Sequence, residues 1–492
     1  MRFDINLKSK YKVSAAYSGF IFILAGIIML FPIIVTIFYP EELVYANGFL
    51  IPSFISIGLG NILWFTFRHR QSVVLTVMEG GIVVLFSWVV TCIISSLPFI
   101  LILHLNFTQA IFESVSGWTT TGLTVINISE APHCILLWRS IMQLAGGAGL
   151  VIIMLSAIAG PAGPGLSTAE GRGTQLVPNV RRSARLVANI YIAYAVVGIV
   201  AYVFSGMSIF DAINHSFTAI STGGFSTRVE SIGYWNSSKI ECVSIFLMFF
   251  GNLNFLTAYL LFTGKFRAVS RNGEIRLFAF LFVVSCLILL TLVTLPLYQN
   301  LEKSMRVAVF ESISALTTTG FSTVSYNDWN STGFLLLIVL MLVGGGAFST
   351  AGGIKQYRIY LLLKSIKWRF QRAFLPKTAI TDNSVWFGDT EESINDNHIS
   401  QISSFAFLYL MVYVVGAGTL TAHGYTLRDS LFEFASALGT VGLSIGITQA
   451  SAQPSILWSE TIAMFLGRLE FFIVIISIVK IVRDFTAFIR KK

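Results

Sequence analysis

Thr317-Thr318-Thr319-Gly320-Phe321-Ser322-Thr323 is a polar stretch between two apolar runs, and it has three counterparts. These are Thr119-Thr120-Thr121-Gly122-Leu123-Thr124, Ser221-Thr222-Gly223-Gly224-Phe225-Ser226-Thr227 and Gly439-Thr440-Val441-Gly442-Leu443-Ser444. Aligned on Gly122, Gly224, Gly320 and Gly442, the residue nine positions upstream is Glu113, His215, Glu311 and Glu433. A second glycine follows 24 to 27 positions on, at Gly146, Gly251, Gly344 and Gly467. Single Thr/Gly turns are ordinary loop punctuation. Four in matched register, about a hundred residues apart, are an internal repeat.

The runs on either side are long enough to cross a bilayer. Ten are read, at about 17–38, 49–67, 80–103, 135–158, 186–205, 239–263, 275–297, 332–362, 399–421 and 456–481. Of 492 residues, 55% are apolar and only 12% charged, against roughly 25% charged in soluble domains. That excludes a soluble enzyme, a disordered chain and a disulfide scaffold. The first run follows Lys8, Lys10 and Lys12 as a leader would. It is too long for a leader's apolar core, and no small-residue cleavage site precedes Pro40-Glu41-Glu42, so a retained helix is expected.

With the N-terminus placed in the cytoplasm, 26 of the 33 Lys and Arg fall on that side. Among them are Arg68 and Arg70, Arg172 to Arg185, Lys265 to Arg276, Lys355 to Lys377 and Lys480 to Lys492. Six fall outside, and Arg468 lies within the last span. The positive-inside rule thus puts both termini in the cytoplasm. The net charge of +9 is a topology signal, because the basic residues lie between spans and form no single stripe; no nucleic-acid partner is expected. Cys92, Cys134, Cys242 and Cys286 sit singly, which gives metal or redox chemistry no support. With no nucleophile–base pair and no phosphate-binding glycine loop, the chain does not read as an enzyme and has no cofactor of its own.

Each segment before a loop reads as a helix of about ten residues, and Ser208 with Asp211 and Thr426 with Asp429 have capping-box spacing. Ten residues cannot cross, so these helices enter and return on the outer side. Irregular backbone at that depth must be buried in protein or line a wet cavity. Backbone carbonyls replace a cation's hydration shell without adding net charge. Glycine lets successive carbonyls turn the same way, and the C-terminal ends of the short helices favour a cation. The candidate cation ligands are therefore Thr120, Thr121 and Gly122, Thr222, Gly223 and Gly224, Thr318, Thr319 and Gly320, and Thr440, Val441 and Gly442. Glu113, Glu311 and Glu433 are expected to support the loops by accepting N–H bonds, in preference to attracting cations at the mouth. His215 breaks the pattern and leaves a pH effect open.

The eighth span holds Gly344, Gly345, Gly346, Gly352 and Gly353 within ten positions. Each glycine weakens a helix by about 1 kcal/mol against Ala. An unwound segment below the loops is expected, in preference to a close helix contact through small residues. Arg468 lies deep in the last span, where a charge costs about 2.5–3.5 kcal/mol or more.

On these residues the chain resembles the Trk/Ktr/HKT superfamily of potassium transporters, in its Trk-type branch, over its whole length. The resemblance implies an all-α integral membrane protein with four pseudo-repeated helix–pore loop–helix units around a central pore. The units fall at 76–165, 166–265, 271–370 and 396–492, after an accessory helix pair in 1–75. Potassium is the implied substrate, taken up across the cytoplasmic (inner) membrane through the four loops as a selectivity filter. In this superfamily a serine in place of the first filter glycine goes with sodium transport, whereas this chain keeps Gly122, Gly224, Gly320 and Gly442. The glycine segment is implied to obstruct the pore and to move for conduction. Arg468 is implied to project into the pore below the filter, held by Glu470 or by carbonyls of the glycine segment; a structural ion pair is the plainer alternative. Implied partners are membrane lipid, a second copy in a homodimer and a cytoplasmic nucleotide-binding regulatory subunit. The rivals are a sodium-conducting member of the same architecture and an ion-coupled secondary transporter, which usually shows two related halves and not quarters.

Overall fold

The computed structural model describes residues 2–67, 76–149, 180–376, 383–387 and 390–489. The inner end of the fourth predicted span (150–158), the junction of the first two units at 165/166, and Arg68, Arg70, Arg172, Lys377, Lys491 and Lys492 lie outside the described residues.

Two helices come first, α1 (Arg2–Ile28) and α2 (Ala46–Phe67), packed side by side. Small residues allow this: a Cβ on Gly60 would lie 2.5 Å from the Gly19 carbonyl oxygen, the close approach by which helices associate in lipid. Ser53 and Ser56 donate to the carbonyls of Gly26 and Phe22 at 2.7 and 2.8 Å, so the contact is polar as well as close.

A three-part pattern of long helix, short helix and second helix then recurs. The first set is α3 (Val77–Leu103), α4 (Phe107–Trp118) and α5 (His133–Ala148). The second is α6 (Val180–Phe204), α7 (Ile209–Ile220) and α8 (Ser238–Asn252), the last followed by α9 (Phe255–Phe262) and α10 (Phe266–Arg271). The third is α11 (Gly273–Leu289), α12 (Leu301–Leu316) and α13 (Ser331–Val343), followed by α14 (Gln356–Ala373). A two-stranded antiparallel ribbon, β1 (Ser384–Phe387) and β2 (Thr390–Ser393), leads to the fourth. That set is α15 (Asp396–Ala422), α16 (Leu427–Leu438) and α17 (Pro454–Leu469), continued by α18 (Phe471–Ile489).

Each short helix packs against both long helices of its own set. It also packs against the second helix of the set before it: α5 on α7, α8 on α12, α13 on α16 and α17 on α4. The last contact closes the ring. The short helices start alike, because Asn106, Ser208, Asn300 and Thr426 accept the N–H groups of Gln109, Asp211, Lys303 and Asp429. Such caps satisfy donors that have no partner within the helix. α12 has 16 residues and the other three have 12, all longer than the ten expected. Phe112, Phe310 and Phe432, ten positions before the loop glycines, are fully buried.

Two of the ten predicted runs need correction, because they are not continuous spans. Among the described residues, six helices are long and apolar enough to cross a membrane, eight if each bent pair counts as one. The runs 239–263 and 456–481 are both broken: α8 and α9 meet at 113°, and α17 and α18 at 101°. Asn254 restarts the first by accepting the Leu256 N–H at 2.9 Å; Glu470 turns the second with φ 62°. Mean hydropathy does not see either break, because the chain stays apolar on both sides. Large side chains such as Phe54, Val197, Phe280 and Phe407 are exposed, as expected of a surface that hydrocarbon covers.

Candidate functional site

The four Thr/Gly loops leave the C-terminal ends of α4, α7, α12 and α16 with one backbone path. Thr121, Gly223, Thr319 and Val441 each donate N–H to a carbonyl five residues back, on Ser116, Thr218, Ser314 and Ser436, at 2.8 to 3.0 Å. Thr120, Thr222, Thr318 and Thr440 have φ between 50° and 56°, in the left-handed region. The glycines two positions on also have positive φ, from 73° to 103°. A threonine in that region is strained, and strain of this kind collects at functional sites.

The glycines also show how the loops meet. A Cβ on Gly122 would lie 2.2 Å from the Gly223 oxygen, and one on Gly224 2.2 Å from the Thr319 oxygen. On Gly320 it would lie 1.9 Å from the Val441 oxygen, and on Gly442 2.3 Å from the Thr121 oxygen. Each loop thus abuts the carbonyl of the next, and the fourth abuts the first. The contacts run in a closed circle through four backbone oxygens, on Thr121, Gly223, Thr319 and Val441. All four glycines line a cavity of about 420 Å³, together with residues that follow them in the chain, among them Thr124, Ser226, Ser322 and Ser444.

The carboxylates nine positions upstream are fully buried and hold the far side of each loop. Glu113 accepts the Val125 N–H at 3.0 Å and the Thr124 hydroxyl at 3.0 Å. Glu311 accepts the Thr323 N–H at 2.9 Å and the Tyr326 hydroxyl at 2.5 Å. Glu433 accepts the N–H groups of Ile445 and Thr448, both at 3.0 Å, and the Ser444 hydroxyl at 2.7 Å. His215 takes the same place in the second loop. Its Nδ1 donates to the Asp211 carbonyl at 2.8 Å, and Nε2 sits 2.9 Å from Ser226 Oγ. Ser226 Oγ already accepts the Arg228 N–H, so its own proton is free for Nε2, and a neutral ring satisfies every contact.

The second glycines also have a reason. A Cβ on Gly146, Gly251 or Gly467 would strike the last carbonyl of a short helix, on Trp118, Ile220 or Leu438, at 1.9, 2.5 and 2.1 Å. Gly344 differs: its Cβ would meet the Gly352 oxygen at 2.3 Å, because α13 ends there and the chain unwinds.

The unwound segment, 344–355, docks on the inner end of the loops. The Gly352 N–H donates to Thr318 Oγ1 at 2.7 Å. The hydroxyl oxygens of Thr350 and Thr222 lie 3.1 Å apart, and Thr350 Oγ1 is 3.0 Å from the Ile220 oxygen. By contrast, the hydroxyls of Thr120 and Thr440 are buried with no hydrogen-bond partner among the described residues. Half of this inner threonine ring is therefore tied to the glycine segment. The first part of the segment is held by Asn252, which accepts the Gly346 N–H at 2.8 Å, and by Glu274, which accepts that of Ala347. Arg468 closes the structure: Nη1 donates to the Thr350 carbonyl at 2.6 Å, and Nη2 to those of Gly146 at 2.6 Å and Gly147 at 3.2 Å. Glu470 is paired with Arg358 at 2.7 Å.

Sequence reasoning missed several of these residues. Arg139, counted with the outer basic residues, is buried and paired with Glu113 at 2.7 Å. It also reaches the Ser226 carbonyl at 3.2 Å and lies over the Phe225 ring at 3.8 Å, so it joins the first loop to the second. An arginine four residues into an apolar run was the available signal. Asn252 and Asn254, two amides in an apolar run, signalled the break at α9. Glu274, at the start of α11, carried no signal of its own.

The TrkH family, described as cation transport protein, matches residues 46–486. An uncharacterized cation transporter of Methanocaldococcus jannaschii is 30% identical over 457 residues, 92% of this chain and 92% of that protein. The Trk system potassium uptake protein TrkG of Escherichia coli is 30% identical over 491 residues, 95% of this chain and 98% of that protein. The crystal structure of the potassium transporter TrkH from Vibrio parahaemolyticus matches with a TM-score of 0.82 and 27% identity, over 95% of this chain and 98% of that one.

Proposed function

The chain belongs to the TrkH family of cation transport proteins, and from that premise we propose that it takes up potassium through the axis of its four loops. The observation that carries this is the closed ring in which each loop glycine abuts the next loop's carbonyl. Carbonyls at Thr120 to Gly122, Thr222 to Gly224, Thr318 to Gly320 and Thr440 to Gly442 hold the dehydrated ion, as backbone filters do. Glu113, His215, Glu311 and Glu433 fix the loops from behind, so the oxygens cannot close on a smaller ion. Potassium over sodium follows from this rigidity and from the four glycines.

The segment 344–355 is the gate and Arg468 its latch. In this conformation the gate hydrogen-bonds to Thr222 and Thr318 and packs against Thr440, so an ion cannot leave the loops inward without displacing it. The four units, the cytoplasmic termini, a homodimer and a nucleotide-binding regulatory subunit belong to the same proposal, supported by the resemblance and the basic loops. The test is rubidium uptake into proteoliposomes, with sodium as competitor, for wild type and Gly122→Ser. Uptake that discriminates in wild type and loses discrimination in the variant supports the reading. Equal discrimination in both removes it.

A further inference from the structure

The second loop lacks the side chain that the other three have at the ion-facing level. Thr121, Thr319 and Val441 precede the glycine in loops one, three and four, but loop two has Gly223. The reason is a residue from the neighbouring unit. A Cβ on Gly223 would lie 2.3 Å from both Cδ and Oε1 of Gln143, a fully buried side chain on α5. Its Nε2 donates to the Gly223 carbonyl at 2.5 Å, and its Oε1 accepts the Phe225 N–H at 3.2 Å. One amide thus clasps both sides of Gly224. Counting three positions back from the second glycines of the other units gives Met248, Met341 and Met464, all buried and none able to donate to a carbonyl.

Two consequences follow. Gly223 has wide backbone freedom, so without the clasp its peptide is free to turn its oxygen off the axis. With the clasp, the oxygen shares its electron density with an N–H donor and presents a weaker field to a cation than its three partners do. We propose that Gln143 is a positioning residue that sets the second of the four carbonyls and so determines part of the discrimination between potassium and sodium. This rests on the filter reading above.

The test is ion-dependent thermal stability of the purified full-length chain, which does not require an open gate. Midpoint unfolding temperature is recorded against potassium and sodium concentration for wild type, Gly122→Ser, Gln143→Met and Gln143→Leu. Gln143→Leu is smaller and cannot donate to Gly223, and so serves if the methionine variant does not fold. The ratio of apparent sodium to potassium dissociation constants should fall about tenfold in either variant, the value of one lost hydrogen bond. A variant that lowers the ion-free midpoint but keeps the wild-type ratio shows a packing role only and overturns the proposal. If wild type shows no potassium preference, or Gly122→Ser keeps it, the filter reading itself fails. A changed ratio in Gly122→Ser with an unchanged one in the Gln143 variants rejects this inference alone.

Discussion

On the proposed gating, replacing Arg468 with Ala removes the latch, and the structure sets the size of the effect. The guanidinium makes two bonds of 2.6 Å, to Thr350 on the segment and to Gly146 on α5, and a third of 3.2 Å to Gly147. Hydrogen bonds to a charged group contribute about 1.5–3 kcal/mol each. Arg468 is only half-buried, so the lower end applies, and the two short bonds together contribute roughly 3 kcal/mol. At about 1.4 kcal/mol per tenfold, the closed-to-open ratio falls about a hundredfold. Rubidium leak through proteoliposomes holding this chain alone should rise by about two orders of magnitude. Arg468→Lys should leak less than the alanine variant, because a point charge remains but a single ammonium does not reproduce the fork. Wild-type leak in a folded Arg468→Ala variant would refute the latch.

Four further outcomes are expected. Glu113→Ala leaves Arg139 buried without its carboxylate, which costs about 3–5 kcal/mol and should appear as a lower midpoint unfolding temperature; replacing both residues by apolar ones should recover part of it. Gly146→Ala and Gly467→Ala place a methyl 1.9 and 2.1 Å from a short-helix carbonyl, so both should lower that midpoint, while Gly206→Ala, with open space around it, should be milder and limited to backbone strain. Thr318→Val removes the acceptor of the Gly352 N–H and should raise leak about tenfold, read in the rubidium assay. Glu433→Gln keeps the shape but replaces one acceptor oxygen with an N–H donor, so at least one of the N–H groups held there loses its acceptor, and the loss should show as reduced discrimination between rubidium and sodium.

Much of this was legible in the sequence because it repeats. The register of Gly122, Gly224, Gly320 and Gly442 has one physical cause, a neighbouring carbonyl where a Cβ would go, and such a cause leaves the same mark four times. Gly344 to Gly353 was legible for the opposite reason: five glycines cannot hold a helix, whatever surrounds them. The residues that escaped notice work across units. Arg139 reads as one charge in an apolar run, and its meaning lies in Glu113, twenty-six positions away in the chain, and in Ser226 on another loop. Gln143 reads as an ordinary amide until Gly223 is seen against it. The breaks at Asn254 and Glu470 were missed because mean hydropathy averages over a bend, and both helices beyond the bends are as apolar as a continued span.

The most direct test is anomalous diffraction from crystals grown in rubidium. Peaks on the axis, level with the carbonyls of Thr121, Gly223, Thr319 and Val441 and absent or displaced in Gly122→Ser, are the predicted result. Rubidium bound elsewhere, with none between the four loops, would contradict the central claim.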